Sequence, residues 1–293
     1  MSENSSLPER VAALEQAQQC QSRVASRSGL PLWLGLLALL GILGIQIWSM
    51  SANLDRIDSS EEQRLFWLIC QSRETPAERT RAFLKLVELG NKEWRSAQLK
   101  QLELKGVELS GVELRWADLE AADLASAQLV YADLSKCNLH LADLHDANLS
   151  EAELVETILL QAQLESAIFR KANLQAATLE QATATKSVFV LADLSDANLL
   201  MTDMAGADLT GANLSGANLE SAVLRDTQVA LTNFTEANLR NTDFTGSNWW
   251  RARGLTSDQI LEFRKKFAPG KDSDESKQND YRLWLKSLES ENK

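Results

Sequence analysis

The chain has 293 residues and an acidic balance, with 41 Asp or Glu against 30 Lys or Arg and a formal net charge of −11. Most of the acidity lies between residues 97 and 249, which hold 22 acidic and 9 basic side chains. Because nucleic-acid binding needs Lys and Arg to neutralise phosphate, this balance argues against a nucleic-acid partner. The three cysteines, Cys20, Cys70 and Cys137, are too scattered for a disulfide-stapled domain.

Residues 1–29 form a polar N-terminal tail. A helix start at Ser6 is followed by Leu7, Val11 and Leu14, which share one helical face. Two interpretations stay open for this segment: a short self-association helix, or a solvated and partly ordered tail.

Residues 30–50 contain an apolar run from Leu30 to Trp48 in which Gln46 is the only polar side chain. Nineteen residues at 1.5 Å each span about 28 Å, enough to cross the hydrocarbon core. A buried core helix would need apolar neighbours that the chain lacks, and a cleaved signal peptide would not follow so long a polar lead. The run therefore predicts a single-pass transmembrane helix. A small excess of Arg before it slightly favours a cytoplasmic N-terminus. This bias is too small to decide on which side of the membrane the following domain lies.

Residues 51–96 are predicted to form a helical linker and an N-terminal cap. The segment from Thr75 to Glu78 has the form of a capping box with Pro at the first helical position. Phe83 and Leu86 then fall on one helical face, which is typical of a helix that packs against a core. We expect this helix to cover the end of the segment that follows.

Residues 97–249 carry a large apolar residue at every fifth position, in one frame from Leu99 to Trp249 and with Ala184 as the one exception. A small residue, usually Ala, stands two places before nearly all of the large ones. A period of five fits neither the 3.6 of a helix nor the 2 of a strand. A chain that turns a corner every five residues buries one large and one small residue per side. Four sides return it about 4.8 Å above its start.

The segments ADLEAADL, ADLHDANL and ADLTGANLSGANLESAVL resemble the A(D/N)LXX motif of pentapeptide-repeat proteins. The resemblance covers 153 of 293 residues. It implies an all-β solenoid, a right-handed quadrilateral β-helix with helical caps, and says little about function. The leader ERTRAFLKLVELGNKEWRSAQL is also similar to one found in cyanobacterial members.

Residues twenty apart stack in one column, so the solenoid has four faces, named here after a central residue of each. The Leu104 and Leu114 faces lie opposite each other and carry columns of Asp and Glu, whereas the Leu109 and Leu119 faces carry outward apolar residues. Scattered exposed apolar residues are ordinary, but a contiguous group favours contact with a partner. The candidate interaction surface lies on the Leu109 face and consists of Val130, Tyr131, Ile168, Val188, Val190 and Leu191.

Residues 250–269 are predicted to form a C-terminal capping helix, with a capping box from Thr256 to Gln259. Residues 270–293 are predicted as a flexible linker followed by a short amphipathic helix from Asp280 to Leu288. Three roles are possible for that helix: it folds back on the cap, binds a membrane surface, or binds a partner. We take folding back as the default.

No constellation in the sequence indicates catalysis. His140 and His145 lie near Asp143 and Asp146, but they fall on adjacent faces about a right angle apart and do not converge as metal ligands must. No Gly-rich phosphate loop follows a strand, and no Ser or Cys nucleophile has a His to orient it. We therefore expect no enzyme activity, no cofactor and no metal.

Two functions remain. The first is a membrane-anchored scaffold for protein–protein interaction, whose partner is an unidentified protein or a second copy of the chain. The alternative is an acidic DNA-mimic solenoid that binds or protects a type II topoisomerase, as some pentapeptide-repeat proteins that this solenoid resembles do.

Overall fold

The computed structural model describes residues 65, 68, 69 and 75–291. Within these residues no helix is long and apolar enough to cross a membrane. The predicted transmembrane helix, Leu30–Trp48, and the N-terminal tail lie outside the described residues.

A four-sided parallel β-helix forms the body of the described chain. Short parallel bridges join residues twenty apart, from Glu93 with Glu113 to Asn233 with Arg253. Because each side contributes one bridging residue and the next comes five residues later, twenty residues make one coil of four sides. The coil thus stacks directly on its neighbour, with no slip of register.

The backbone of each side is hydrogen-bonded to the coils above and below. On one side, the Leu99 N–H donates to the carbonyl of Asp118 at 2.7 Å, and the Asp118 N–H donates to the carbonyl of Ala97 at 2.9 Å. The Ala97 N–H donates to the carbonyl of Trp94 at 3.1 Å, a hydrogen bond within the turn between two sides. These bonds recur every five residues, so the ladder satisfies most of the backbone polar groups.

The A(D/N)LXX pattern has a local explanation at the bridging position, one residue before the central Leu. There an Asp or Asn side chain accepts the N–H two residues later: Asp123 Oδ1 from Ala125 at 3.0 Å, and Asp208 Oδ1 from Thr210 at 2.9 Å. This N–H follows the central residue and makes no ladder bond of its own. Asp and Asn favour this position because their short side chains can bond their own backbone at a turn.

The small and the large residues of each side point inward. Ala117, Ala147 and Ala212 are at most 1 % exposed, and the central Leu residues are buried with them. The exception in the pattern, Ala184, is also fully buried. The three remaining residues of each side point outward.

At every corner of the solenoid, the residue two places after the central one lies in the left-handed backbone region. From Ser96 to Gly246 these residues stand five apart, and all have φ between +53° and +74°. Only six of them are glycine. The others include large side chains such as Tyr131 and Leu191, which project from the edge between two faces.

Helix α1, Pro76–Glu88, covers the N-terminal end of the solenoid. Phe83 is buried against Trp94, with ring centroids 4.5 Å apart. The guanidinium of Arg79 donates to the carbonyls of Gln98 and Lys100 in the first coil, which has no preceding coil to bond them. The Thr80 hydroxyl accepts the Glu103 N–H at 3.0 Å. The helix thus seals the core and satisfies the open edge of the ladder.

Two helices and a short 3₁₀ turn close the other end. The turn is Trp249–Arg251, followed by α2, Ser257–Lys266, and α3, Glu275–Glu291. Helix α3 begins five residues before the predicted Asp280, so residues 275–279 of the expected linker are helical. It folds back on the solenoid: Trp284 packs edge-on to Trp249, with ring centroids 5.3 Å apart.

Candidate interaction surface

The six residues of the candidate interaction surface all lie on the outer side of the Leu109 face. Ile168 and Val188 occupy the bridging position and are joined by a parallel bridge, so their side chains are direct neighbours. Val190 and Leu191 follow on the same coil as Val188. Leu191 is 57 % exposed, and the other three are partly exposed.

Val130 and Tyr131 are separate from these four. Their coil is three coils away from that of Val190 and Leu191, a distance of about 14 Å at the spacing of stacked strands. The two coils between them carry Glu151 and Lys171 at the corner. The face therefore bears two apolar clusters with a charged band between them, rather than one continuous patch.

The corner conformation makes the apolar side chains prominent. Tyr131 and Leu191 both have φ of +60°, and Leu231, in the same column, has φ of +62°. All three are more than half exposed, with Tyr131 at 63 %. The left-handed region is unfavourable for branched and bulky residues, by about 1–2 kcal/mol each. At these three positions the backbone conformation therefore opposes folding.

The charged band is a cross-coil ion pair. Lys171 Nζ lies 3.7 Å from Glu151 Oε1, and both side chains are largely exposed. Along the Leu109 face the outward charges balance: three acidic and three basic residues stand between residues 108 and 251. The Leu104 face, by contrast, carries eight acidic and three basic outward residues between 103 and 246. The Leu109 face is thus neutral and apolar where its neighbour is acidic.

The opposite face has a second apolar group. Leu141, Ile158 and Met201 on the Leu119 face are between 42 % and 55 % exposed. Glu180 and Glu220 lie on the same face, and Glu220 accepts hydrogen bonds from Arg240. This face is less apolar and carries more acid than the Leu109 face.

Trp116 is an exposed aromatic residue that the sequence analysis did not single out. It stands at a corner of the Leu114 face, is 51 % exposed, and has the guanidinium of Arg115 4.9 Å from its ring centroid. Its signal was a large aromatic residue two places after a central Leu, the same signal that marks Tyr131.

The two histidines stay apart. His145 Nδ1 lies 2.6 Å from Asp143 Oδ1 on the Leu104 face, and the His140 N–H donates to Asn138 Oδ1 on the Leu119 face. Over residues 75–291 and the three helical positions before them, no group of three His, Cys, Asp or Glu side chains is placed to hold a metal ion.

Cys137 occupies an inward small position and is fully buried. Burial raises the pKa of its thiol to about 12, although a backbone contact acts in the opposite direction. The thiol lies 2.7 Å from the carbonyl of Leu114, and Thr157 makes the same bond one coil later, to the carbonyl of Leu134 at 2.8 Å. A neutral, enclosed thiol of this kind is a packing group and a poor nucleophile.

The family model for pentapeptide repeats matches residues 103–140 and, in overlapping segments, 142–251, which together make up half of the chain. No curated protein matches the chain.

Among solved structures, a trypsin-treated variant of QnrB1, a plasmid-mediated fluoroquinolone resistance protein, aligns with a TM-score of 0.55 at 16% identity, over 67% of this chain and 95% of that one. HetL, a pentapeptide-repeat protein involved in heterocyst differentiation regulation in the cyanobacterium Nostoc sp. strain PCC 7120, is 26% identical over 57% of this chain and 95% of that one, with a TM-score of 0.26. A pentapeptide-repeat protein of the Arabidopsis thaliana thylakoid lumen is 27% identical over 41% of this chain and 75% of that one, with a TM-score of 0.27.

The similarity to the QnrB1 structure implies a right-handed quadrilateral β-helix, and the family-model match identifies the repeat. The chain belongs to the pentapeptide-repeat family.

Proposed function

We propose that the protein is a membrane-anchored scaffold whose Leu109 face docks a protein partner. The observation that carries this proposal is the group formed by Ile168, Val188, Val190 and Leu191 on the outside of two adjacent coils. Bridging positions elsewhere are mostly Asp, Asn, Glu or Gln, and the Asp and Asn side chains there accept the N–H two residues later, as in the bond from Ala125 to Asp123. At Ile168 and Val188 that bond is given up for apolar surface, which suits contact with another protein.

A solenoid is a suitable base for such a contact because its surface is preorganised. Each side is hydrogen-bonded to two neighbouring coils, so the outward residues are held at fixed spacing and lose little freedom on binding. Burying apolar area contributes about 25 cal/mol per Å² before the entropy of association is subtracted. The acidic faces on either side disfavour partners that do not match the neutral strip between them.

The membrane anchor in this proposal is Leu30–Trp48. It is supported by the length and apolarity of the run and by Trp33 and Trp48 near its ends, where indole rings favour the interface. The slight excess of Arg before the run supports a cytoplasmic N-terminus.

Fractionation tests the anchor. The full-length chain should stay with membranes after a carbonate wash, and a variant that lacks residues 1–50 should move to the soluble fraction. Recovery of the intact chain in the soluble fraction would refute the anchor, while leaving the docking face untouched.

Substitution tests the docking face. The double variant Val188→Asp with Leu191→Asp should fold, since both side chains point outward and Asp tolerates positive φ. It should lose the partner that co-purifies with the wild type. The matched control, Gln163→Asp with Ser166→Asp, places two charges at the same positions of the Leu104 face and should keep that partner. Equal behaviour of the two variants would contradict the proposal.

A topoisomerase-binding role is the second candidate. Its support is the column of carboxylates on the Leu104 face, where Asp123 and Asp143 are joined by a parallel bridge and lie at the spacing of stacked strands. A gyrase supercoiling assay tests it. Inhibition, or protection from a quinolone, that is lost in the variant Asp123→Asn with Asp143→Asn would favour this role over docking at the Leu109 face.

A further inference from the structure

We propose that the partner of the Leu109 face is a second copy of the chain, packed antiparallel, with the two-fold axis between the coils of Leu149 and Phe169. This inference rests on the proposed function, since it takes the Leu109 face to be an interaction surface. It specifies which residue of one copy faces which residue of the other, and so it is open to a direct test.

The order of residues along the corner column carries the inference. Reading along the rod, the column runs Tyr131, Glu151, Lys171, Leu191, one residue per coil. The backbone ladder keeps these residues in register: the N–H of Glu151 donates to the carbonyl of Arg170, and that of Lys171 to the carbonyl of Val190, each at 2.9 Å. The sequence of side-chain types is therefore apolar, acidic, basic, apolar at equal spacing.

A two-fold axis perpendicular to the rod reverses this order in the second copy. With the axis between the coils of Leu149 and Phe169, Tyr131 faces Leu191 of the second copy, and Glu151 faces its Lys171. In the next column Val130 faces Val190 of the second copy. In the bridging column Ile168 faces Asn148 of the second copy and Val188 faces its Gln128. The corner column and the column beside it are thus self-complementary, as a two-fold contact requires, while the bridging column sets apolar side chains against amides.

The charged band fixes the register. Within one chain Glu151 and Lys171 already lie 3.7 Å apart. In the pair, two such couples would cross and form a ring of four alternating charges. A slip by one coil in one direction sets Glu151 against Glu151 of the second copy, and a slip in the other direction sets Lys171 against Lys171. Like charges in contact disfavour both slips.

Charge also favours the Leu109 face over the others. Two Leu104 faces would bring together surfaces that each carry five more acidic than basic residues. The Leu109 face has no net charge, and its one like-charge pairing, Glu108 with Asp208 of the second copy, falls at the two ends of the contact, where solvent screens it. The Leu119 face has its own spaced pair, Leu141 and Met201, but between them it has Gln161 and Gln181 in place of opposite charges.

The contact would be modest in size. It spans six coils, about 24 Å of rod at the spacing of stacked strands. A strip of that length and five residues in width covers well under the roughly 800 Å² per partner of a standard stable interface, so the pair is a weak, transient one. Cross-linking is therefore a better probe than retention of a dimer on a column.

The experiment uses two variants of the full-length chain that each carry one added cysteine, Tyr131→Cys and Leu191→Cys, each with Cys20→Ser and Cys70→Ser. Cys137 is buried and is left in place. In the expected pair the two copies of either position are three coils, about 14 Å, apart along the rod, too far for a disulfide. Under mild oxidation each variant alone should stay monomeric on a non-reducing gel. An equimolar mixture should give a cross-linked dimer in up to half of the paired protein.

Charge exchange provides a second, independent readout. In the mixed-cysteine background, Glu151→Lys alone or Lys171→Glu alone should reduce the cross-linked fraction several-fold. The double exchange, Glu151→Lys with Lys171→Glu, should restore it, because opposite charges again face each other. A fold defect would not be rescued in this way.

Several outcomes overturn the inference. Equal cross-linking by each variant alone would show a different register, and cross-linking only in a mixture of Leu141→Cys with Met201→Cys would move the pair to the Leu119 face. No cross-link in any mixture, together with loss of a different co-purifying protein in the Val188→Asp, Leu191→Asp variant, would overturn self-pairing and leave the docking function standing. A cross-link in the mixture of Tyr131→Cys with Leu191→Cys, with no other protein co-purifying, supports the antiparallel pair.

Discussion

Phe169 and Phe189 lie stacked inside the solenoid, with ring centroids 4.7 Å apart and planes 2° from parallel. The separation matches the rise between stacked coils, so successive coils can hold the same aromatic ring one above the other. The pair lies directly behind Ile168 and Val188. At these two coils the Leu109 face therefore carries aromatic rings on its inner side and apolar side chains on its outer side.

Phe189→Ala should destabilise the chain by about 3–5 kcal/mol, because it removes a fully buried ring and leaves a cavity beside Phe169. Val188→Ala, one residue away but facing outward, should change the free energy of unfolding by less than about 1 kcal/mol. Chemical denaturation of both variants measures the difference. Similar losses would mean that the inward and outward assignments are wrong at this coil.

Gly254→Ala tests steric strictness at the C-terminal end. A Cβ at Gly254 would lie 2.8 Å from the Cα of Thr235, and the residue has φ of +77°. Gly106 has a similar φ of +67°, but a Cβ there would meet nothing within 4 Å. Gly106→Ala should therefore show only the strain of the left-handed region, about 1 kcal/mol. Gly254→Ala should lose at least twice as much stability, and equal melting shifts would contradict this explanation.

Asp280 joins helix α3 to the end of the solenoid. Its carboxylate accepts hydrogen bonds from Trp250 Nε1 at 2.7 Å and from Arg251 Nε at 2.8 Å. Asp280→Ala leaves the partly buried indole N–H without its acceptor, at a loss of about 1–3 kcal/mol. We expect faster proteolysis between α2 and α3, with the solenoid intact. Glu289→Ala, in the last turns of the same helix, is the control and should be cut at the wild-type rate.

The Cys137 thiol should make stability depend on alkaline pH. Its pKa is raised to about 12 in the folded chain against 9.0 for a free thiol, so the folded state retains a proton that the unfolded state loses. The stabilisation is therefore complete below pH 9 and is lost as the pH rises from 9 towards 12. At pH 10 the loss is about 1.4 kcal/mol.

Cys137→Ala is the matched variant for that measurement. The two proteins differ only in this thiol, so the wild type should show the larger fall in melting temperature between pH 8 and pH 10. Parallel curves for wild type and variant would show that the thiol ionises equally in the folded and unfolded states.

The repeat could be read from the amino-acid order because it is strictly periodic. Each coil meets only the coils twenty residues before and after it, so the pattern of one side repeats the environment of every other. Leu99 and Ala212 are inward for the same reason. The columns that place Ile168 beside Val188 and Glu151 beside Lys171 follow from the same arithmetic. The anchor and its orientation remain predictions from composition.

The ends and corners were decided by tertiary structure. No period relates Arg79 to the carbonyls of Gln98 and Lys100, or Trp284 to Trp249, because these are single contacts between unlike elements. The early start of α3 at Glu275 belongs to the same class. At the corners, Tyr131 and Leu191 adopt a backbone region that their own propensities disfavour, since closure of the coil requires it at every fifth residue. The sequence by itself determined the repeat and its columns, whereas packing decided the single contacts at the two ends and the backbone conformation of the corners.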